Sequence, residues 1–183
     1  MIIMIKVATA ECFTHGHIAR EIHAISQGYD GEFGPNYPLL KNVTQDLTVV
    51  CGIFAPTLSA LQKVLKVDPP EPLKLIRGIK VYDEENDKKV AVMMAEAVKD
   101  LLEADMGIGT TAGIGRGGIA ISTDEYTVVT SSGFYADITT HDSSRLLKRQ
   151  ECGIKKVLSV FVGVLGGDMS KIERDENVEI IKY

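Results

Sequence analysis

Two largely apolar runs, each leading into a segment of helical character, constrain the fold of this chain more than any other feature. Residues 2–8 and 47–54 are rich in Val, Ile and Leu. Continuous runs of this length are typical of strands that are buried on both faces. After the first run, Ile18, Ile22 and Ile25 recur at helical spacing. Strands that alternate with helices in this way predict an α/β protein.

The rest of the chain continues the alternation. Residues 28–45, rich in glycine and tyrosine, predict a long loop that is a candidate lid. We expect one α/β domain over residues 1–167, a three-layer α/β/α sandwich around a mixed sheet. The charge-rich tail, 168–183, could add an edge strand at 178–181. The further predicted elements are helices over 14–27, 56–66, 85–104 and 143–165, a strand over 106–111, and a hairpin pairing 119–122 with 126–130.

Charge and composition exclude several classes of function. The net charge is −5, whereas nucleic-acid-binding proteins usually carry a basic stripe, so we expect no nucleic-acid partner. The longest apolar run, 157–165, is about half of the roughly 18 residues that a membrane span needs. Three widely spaced cysteines predict neither a disulfide framework nor a C-x-x-C metal site. We therefore expect a cytoplasmic protein with reduced thiols and no membrane association.

The stretch ATAECFTHGHIA, residues 8–19, contains the first candidate site. Cys12 follows a predicted strand and precedes a predicted helix, and a helix N-terminus makes thiolate more available near neutral pH. Cys12 is therefore a candidate nucleophile that His15 could assist, although free cysteines are also common core residues. His15 and His17 are two residues apart and no acidic residue completes a ligand set, so we predict no metal. Since ligands collect at strand ends, further ligand-binding candidates are Thr9, Glu11, Thr14 and Gly16.

A glycine-rich segment after the strand at 106–111 is the second candidate site. Glycines allow close backbone approach to a ligand, successive N–H groups can hold a phosphate, and an arginine adds a charged contact. The segment matches neither the Walker nor the Rossmann pattern, and a glycine-rich hairpin corner is the alternative. The ligand-binding candidates here are Thr110, Thr111, Ala112, Gly113, Ile114, Gly115, Arg116 and Gly117.

Two separated segments resemble the C-terminal domain of CinA-type proteins, the nicotinamide-nucleotide amidases. They are ECFTHGHIA, beginning at Glu11, and VMMAEAVKDLLEADMGIGTTAGIGRGG, residues 92–118. The resemblance implies a CinA C-terminal-domain-like fold in which Cys12 stands where the family has the serine that attacks a pyridine carboxamide. His15 replaces a family glycine, and the chain has no clear counterpart to the catalytic lysine.

A resemblance over nearly the whole chain is to the HcgF family of methanogens. It is carried by MIKVATAECFTHGHI from Met4, by residues 111–115, and by KRQECGI at 148–154. The family acts in biosynthesis of the iron-guanylylpyridinol cofactor of mono-iron hydrogenase. The resemblance implies that Cys12 forms a thioester with the carboxylate of guanylylpyridinol after a partner enzyme has adenylylated that carboxylate. It implies guanylylpyridinol as a ligand, no tightly bound cofactor, and a homo-oligomer.

Three hypotheses follow for the chemistry. In the first, Cys12 is the acyl acceptor and backbone N–H groups at the start of the first helix stabilise the developing oxyanion. A thiolate suits an acyl intermediate that persists for transfer, whereas a serine–lysine pair suits hydrolysis. The second is a cysteine-dependent hydrolase of a pyridine nucleotide amide or thioester. The third is a non-catalytic nucleotide-binding module in which Cys12 is simply buried.

Overall fold

Six strands form one mixed sheet, the central layer of the molecule. The computed structural model describes residues 4–33, 47–167 and 169–183. In chain order the elements are β1 (Ile5–Glu11), α1 (His17–Ser26), β2 (Leu47–Phe54), α2 (Leu58–Lys63), β3 (Lys74–Ile76), β4 (Ile79–Val81), α3 (Glu84–Leu101), β5 (Met106–Thr111), β6 (Ile114–Gly115), β7 (Gly118–Ser122), β8 (Tyr126–Thr130), β9 (Ala136–Asp137), a 3₁₀ turn (Ile138–Thr140), α4 (Ser143–Gly166), α5 (Met169–Glu173) and β10 (Glu179–Lys182).

The strand order β10-β8-β7-β5-β1-β2 brings three strand ends to one edge of the sheet. β1 pairs in parallel with both β2 and β5, and its last residue, Glu11, lies opposite Phe54 on one side and Thr110 on the other. β7, β8 and β10 continue the sheet in antiparallel pairing. The carboxyl ends of β1, β2 and β5 therefore meet, as binding sites in open α/β sheets require.

One face of the sheet is covered by α1 and α4. Ile18 and Ile22 of α1 and Ile154 and Phe161 of α4 are fully buried in one apolar cluster with Ile108 of the sheet. Each such side chain contributes about 1.5–3 kcal/mol through burial. This packing fixes α4 beside the residues that follow β1.

The opposite face is covered by α3, which approaches the sheet very closely. Ala91 and Ala95 are fully buried. A Cβ added at Gly109 of β5 would lie 2.1 Å from the Ala91 carbonyl oxygen, and one at Gly107 would lie 2.0 Å from that of Ala95. Only glycine fits under the helix at these two positions. With helices on both faces, the predicted α/β sandwich around a mixed sheet is confirmed.

Most predicted elements are present, with shifted ends. The strands predicted at 47–54 and 106–111 are confirmed as β2 and β5, and the longest predicted helices correspond to α3 and α4. The helix predicted from Pro56 begins two residues later, because the Thr57 side chain caps it by accepting from the Ala60 N–H. The structure contains an edge strand, β10, at the position proposed for one. Of the predicted lid, residues 34–45 lie outside the described residues.

Two differences affect the candidate site directly. β1 continues to Glu11 instead of ending near residue 8, and α1 begins at His17 instead of near residue 14. Gly16, the N-cap of α1, has φ 81°, a left-handed conformation that glycine adopts without strain. The segment around Cys12 is therefore a turn between strand and helix, not the first turn of the helix.

Candidate active site

Cys12 lies in a pocket of about 250 Å³ at the edge where β1, β2 and β5 end. The walls come from both sheet and helix, and most of them are apolar. The candidates from the sequence that line this pocket are Cys12, His15 and Ala112. Sequence reasoning did not identify the other lining residues: Phe13, Phe54, Pro56, Ile79, Ile138, Leu146, Leu147, Arg149 and Gln150.

The fully buried Glu11 organises the turn in front of the pocket. One carboxylate oxygen accepts from the Thr9 hydroxyl and the Ala19 N–H, both at 2.9 Å. The other accepts from the Thr14 hydroxyl at 2.6 Å and the Ile18 N–H at 3.1 Å. A carboxylate at a helix N-terminus is stabilised by the free N–H groups and the helix dipole. Glu11 thus joins β1 to α1, and it occupies two helical N–H groups that were candidates for stabilising an oxyanion.

Two buried threonines hold Cys12 against β5. The Cys12 N–H donates to the Thr110 carbonyl at 2.8 Å and approaches its hydroxyl at 3.3 Å. The Thr110 and Thr14 hydroxyls are hydrogen-bonded to each other at 2.8 Å. Cys12 itself is 6% exposed. Thr9, Glu11, Thr14 and Thr110 therefore form the buried layer that positions the thiol.

His15 is the titratable neighbour of Cys12 in the pocket lining. Its N–H donates to the Cys12 carbonyl at 3.2 Å, and its φ of 52° is in the left-handed region. The ring meets Phe54 edge-on, with 5.4 Å between ring centroids. Partial burial lowers the pKa of His15, His17 lowers it further, and Glu11 opposes the shift. The imidazole is therefore mostly neutral at pH 7, the form that can accept a proton.

The segment 148–154 of α4 supports the Cys12 turn from the other side. Gln150 donates from its amide to the Phe13 carbonyl at 3.0 Å. Gly153 leaves room for the Phe13 ring, because a Cβ there would lie 2.4 Å from that ring. The Arg149 guanidinium carbon is 5.9 Å from the centroid of the same ring. These contacts give a physical role to the KRQECGI segment, which carried a resemblance but no predicted site residue.

The glycine-rich segment makes its hydrogen bonds mainly within the protein. Of its residues, Ala112 alone lines the pocket of Cys12. Gly115 and Gly117 have φ of 127° and 73°, which explains glycine at both positions. Three N–H groups of this segment have protein acceptors: Gly113 with Asp87 Oδ2 at 2.7 Å, Ile114 with the Tyr82 carbonyl at 2.8 Å, and Arg116 with Glu84 Oε2 at 3.1 Å. The Arg116 guanidinium also pairs with Glu84 at 2.8 Å.

Three buried charged side chains lie close together beside the pocket, and one of them, Arg149, lines it. Asp87, Lys80 and Arg149 are each 2% exposed or less. Burial raises the pKa of Asp87 to about 7, opposed by the Gly113 N–H, Arg149 and Lys80. The Thr111 hydroxyl interacts weakly with this carboxyl. Among the described residues, however, neither this hydroxyl nor Asp87 Oδ1 has a partner in hydrogen-bond geometry. Asp87 is therefore only partly ionised at neutral pH, and the two cations beside it are incompletely neutralised.

Among residues 4–33, 47–167 and 169–183, no three His, Cys, Asp or Glu side chains are grouped as a metal site would require. In the same ranges, no helix has both the length and the apolar character that crossing a bilayer demands.

Comparison with known proteins decides the family. The model of the family described as FeGP cofactor biosynthesis protein HcgF matches residues 4–165. This chain belongs to the HcgF family. The resemblance found in the sequence is thereby confirmed, and HcgF membership assigns the chain to FeGP cofactor biosynthesis.

Relatives in the HcgF family come from methanogens. A UPF0254 protein of Methanothermobacter thermautotrophicus is 48% identical over 162 residues, which are 88% of this chain and 99% of the relative. A UPF0254 protein of Methanopyrus kandleri is 45% identical over 177 residues, 96% of each chain. The similarity therefore extends over almost the full length of both relatives.

Proposed function

We propose that this chain binds guanylylpyridinol and that Cys12 forms a thioester with its carboxylate during FeGP cofactor biosynthesis. Family membership supplies the pathway. The observation that carries the proposal is the position of Cys12, in the lining of a largely apolar pocket at the edge where three strands end. Guanylylpyridinol is then a ligand that is captured and passed on.

The size of the pocket supports a pyridinol ring as its occupant. A cavity of about 150 Å³ is enough to hold benzene, and this pocket has about 250 Å³. A substituted pyridine ring fits this volume, with Phe13 and Phe54 as aromatic walls. A whole mononucleotide does not fit beside it, so the guanylyl group extends through the pocket mouth.

Thioester formation at Cys12 requires that the carboxylate of guanylylpyridinol is first activated as an acyl adenylate. The Cys12 sulfur adds to the carbonyl carbon of acyl-adenylated guanylylpyridinol. The new C–S bond replaces the C–O bond to adenylate, and AMP leaves with the electron pair of that bond. The thiol proton passes to the neutral imidazole of His15 and then to solvent. The partner that this scheme requires is an adenylylating enzyme, which supplies the acyl adenylate from ATP.

Intact-protein mass spectrometry tests the proposal. The wild type and Cys12→Ala are incubated with guanylylpyridinol, ATP and the cognate adenylylating enzyme. We expect an adduct of one ligand minus water on the wild type, released by hydroxylamine, and none on Cys12→Ala. Cys51→Ala and Cys152→Ala are matched controls that retain the adduct, since neither cysteine lines this pocket.

Other outcomes would reject the thioester. Repeated release of ligand with an altered carboxyl group, without a lasting adduct, would identify a hydrolase. An unchanged ligand and an unmodified wild-type protein would support the non-catalytic module. An adduct that persists in Cys12→Ala would place the acyl group on another residue.

A further inference from the structure

The Arg149 side chain is buried in the wall of the Cys12 pocket with part of its hydrogen-bonding capacity unused. It is 2% exposed and lies on α4. A guanidinium carries five N–H donors in a planar arrangement. Which of these donors have protein acceptors determines what the side chain can offer a ligand.

The hydrogen bonds of Arg149 all leave from one nitrogen. Nη1 donates to the carbonyls of Gly113 and Gly115 at 3.0 Å and to that of Ala136 at 2.8 Å. Nε is buried and has no partner among the residues that the structure describes. Within those same residues Nη2 makes no hydrogen bond either. The edge formed by Nε and Nη2, which binds carboxyl oxygens in a bidentate manner, is therefore unoccupied.

The charge of Arg149 is also incompletely neutralised. Burial lowers the pKa of Arg149, and the neighbouring groups that oppose this shift are, in order, Asp87, Cys12 and Asp137. Because Asp87 is only partly ionised at neutral pH and Lys80 is a second buried cation, the region favours an added negative charge. A buried cation with unused donors is unfavourable until an anionic or strongly polar acceptor reaches it.

Three of the backbone N–H groups around Cys12 already have acceptors. The Ile18 and Ala19 N–H groups, at the start of α1, donate to the Glu11 carboxylate. The Cys12 N–H donates to Thr110. These three N–H groups are therefore not available to an oxyanion beside Cys12, whereas Arg149 is a charged donor in the lining of the pocket.

We propose that Arg149 is a catalytic residue whose Nε–Nη2 edge binds the carbonyl oxygen of the acyl group while Cys12 attacks it. This inference rests on the proposed function and adds the group that stabilises the transition state. As the C–S bond forms, the carbonyl π electrons move to oxygen, and the guanidinium donates to the resulting oxyanion. As the C–O bond to adenylate breaks, those electrons return to the carbonyl. Arg149 remains protonated throughout.

The test compares Arg149→Gln and Arg149→Lys with the wild type. Adduct formation is followed by quenched mass spectrometry at saturating acyl adenylate, and affinity for free guanylylpyridinol is measured by calorimetry. Removing one oxyanion donor typically lowers a rate 10²–10³-fold, so we expect Arg149→Gln to form the thioester about 100-fold more slowly. Arg149→Lys retains the charge but not the paired donors. We therefore expect its rate of thioester formation to lie between those of the wild type and Arg149→Gln. Arg20→Gln, at an exposed arginine of α1, is the control.

The outcomes separate the two proposals. A folded Arg149→Gln that forms the adduct at the wild-type rate overturns the role of Arg149 and leaves the proposed function standing. A wild type that forms no adduct overturns both. If neither variant folds, the ¹⁵N–¹H signal of Arg149 Nε in the wild type decides. A downfield shift on adding guanylylpyridinol supports the contact with the carboxyl group, and an unchanged signal at saturation overturns it.

Discussion

The side-chain amide of Gln150 donates to the backbone carbonyl of Phe13 at 3.0 Å, joining α4 to the residue that follows Cys12. Phe13 is 7% exposed. Without Gln150, the Phe13 carbonyl would therefore lose its hydrogen-bond partner at a site that water reaches poorly. The position of the Cys12 turn thus depends on a residue that lies 137 positions from Phe13 in the sequence.

Replacing Gln150 by leucine removes this donor at similar side-chain size. An unsatisfied buried carbonyl costs about 1–3 kcal/mol, so we expect urea unfolding to show a loss of about 1 kcal/mol, since Gln150 is only partly buried. We also expect slower thioester formation at Cys12. Gln62→Leu, at an exposed position of α2, is the control. Equal stability and rate in both variants would contradict a positioning role for Gln150.

Replacing Glu11 by glutamine removes the anion that holds β1 and α1 together. The glutamine amide offers one oxygen to the four donors that share two carboxylate oxygens in the wild type. Its NH₂ group, which is itself a donor, would face the N–H of Ile18 or Ala19. Loss of charged hydrogen bonds in a buried site predicts a decrease of roughly 3 kcal/mol in the free energy of unfolding. Glu71→Gln, at an exposed carboxyl, should change it by less than about 0.5 kcal/mol. A similarly small effect at Glu11 would be inconsistent with the four-donor site.

Replacing Gly109 by alanine tests the close contact between β5 and α3. The new methyl group would lie 2.1 Å from a backbone oxygen of the helix, so the helix must move. Overpacking of this kind costs about 1–3 kcal/mol or more. Gly166→Ala is the matched control, because nothing lies within 4 Å of its Cβ position and it ends a helix. There alanine should be neutral or slightly stabilising. Thermal unfolding of both variants distinguishes the two cases.

Asp87 makes stability depend on pH in a defined direction. Because burial raises its pKa to about 7 from 3.8, the folded protein retains this proton at pH values where the unfolded chain has lost it. The contribution of Asp87 to the free energy of unfolding is therefore fully present below about pH 4, and it decreases as the pH rises to about 7. At about 1.4 kcal/mol per pKa unit, the total change is on the order of 4 kcal/mol.

Asp87→Asn removes that dependence. The difference in unfolding free energy, variant minus wild type, should increase between pH 4.5 and 7 and then level off. Urea unfolding at several pH values measures it. Asp68→Asn, at an exposed carboxyl, controls for the general effect of charge removal. A difference for Asp87→Asn that stays constant over this range would show that the carboxyl does not retain its proton in the folded state.

His15→Asn separates proton transfer from backbone conformation. Asparagine tolerates the left-handed conformation that His15 adopts, but it cannot accept the thiol proton. General-base catalysis contributes about 10²–10⁴-fold, so thioester formation should slow by about 100-fold. In the wild type the rate should decline as the pH falls through the pKa of His15, which burial holds below its usual value, and this decline should be missing in the variant. His23→Asn, exposed on α1, should behave as the wild type.

The regular elements could be predicted because their patterns are local. The apolar run of β2 and the 3.6-residue periodicity of α3 determine those elements with little help from the rest of the chain. The end of β1 was predicted wrongly, because a glutamate in a buried strand is unfavourable on its own. Glu11 is tolerated there because donors from Thr9, Thr14 and α1 converge on it, and sequence spacing does not reveal such convergence.

The hairpin of β3 and β4 and the burial of Arg149 were also missed, for different reasons. Arg77 and Gly78 both have positive φ and form its two-residue turn, but charged residues on both sides mask the strand pattern. Arg149 lies on a helix among charged neighbours, where the sequence favours an exposed position. Its burial follows from the carbonyls of Gly113 and Ala136, which the fold brings to it.

The two glycines of β5 give this protein an unusual profile of tolerance to mutation. Gly107 and Gly109 lie under α3 and do not line the Cys12 pocket. Asp87 of the same helix holds the Gly113 N–H, and Gly113 in turn accepts from Arg149. A methyl group added under α3 would therefore displace Asp87, then Gly113, and finally the pocket wall. In a saturation-mutagenesis screen for thioester formation, positions 107 and 109 would score among the active-site residues although neither lines the pocket.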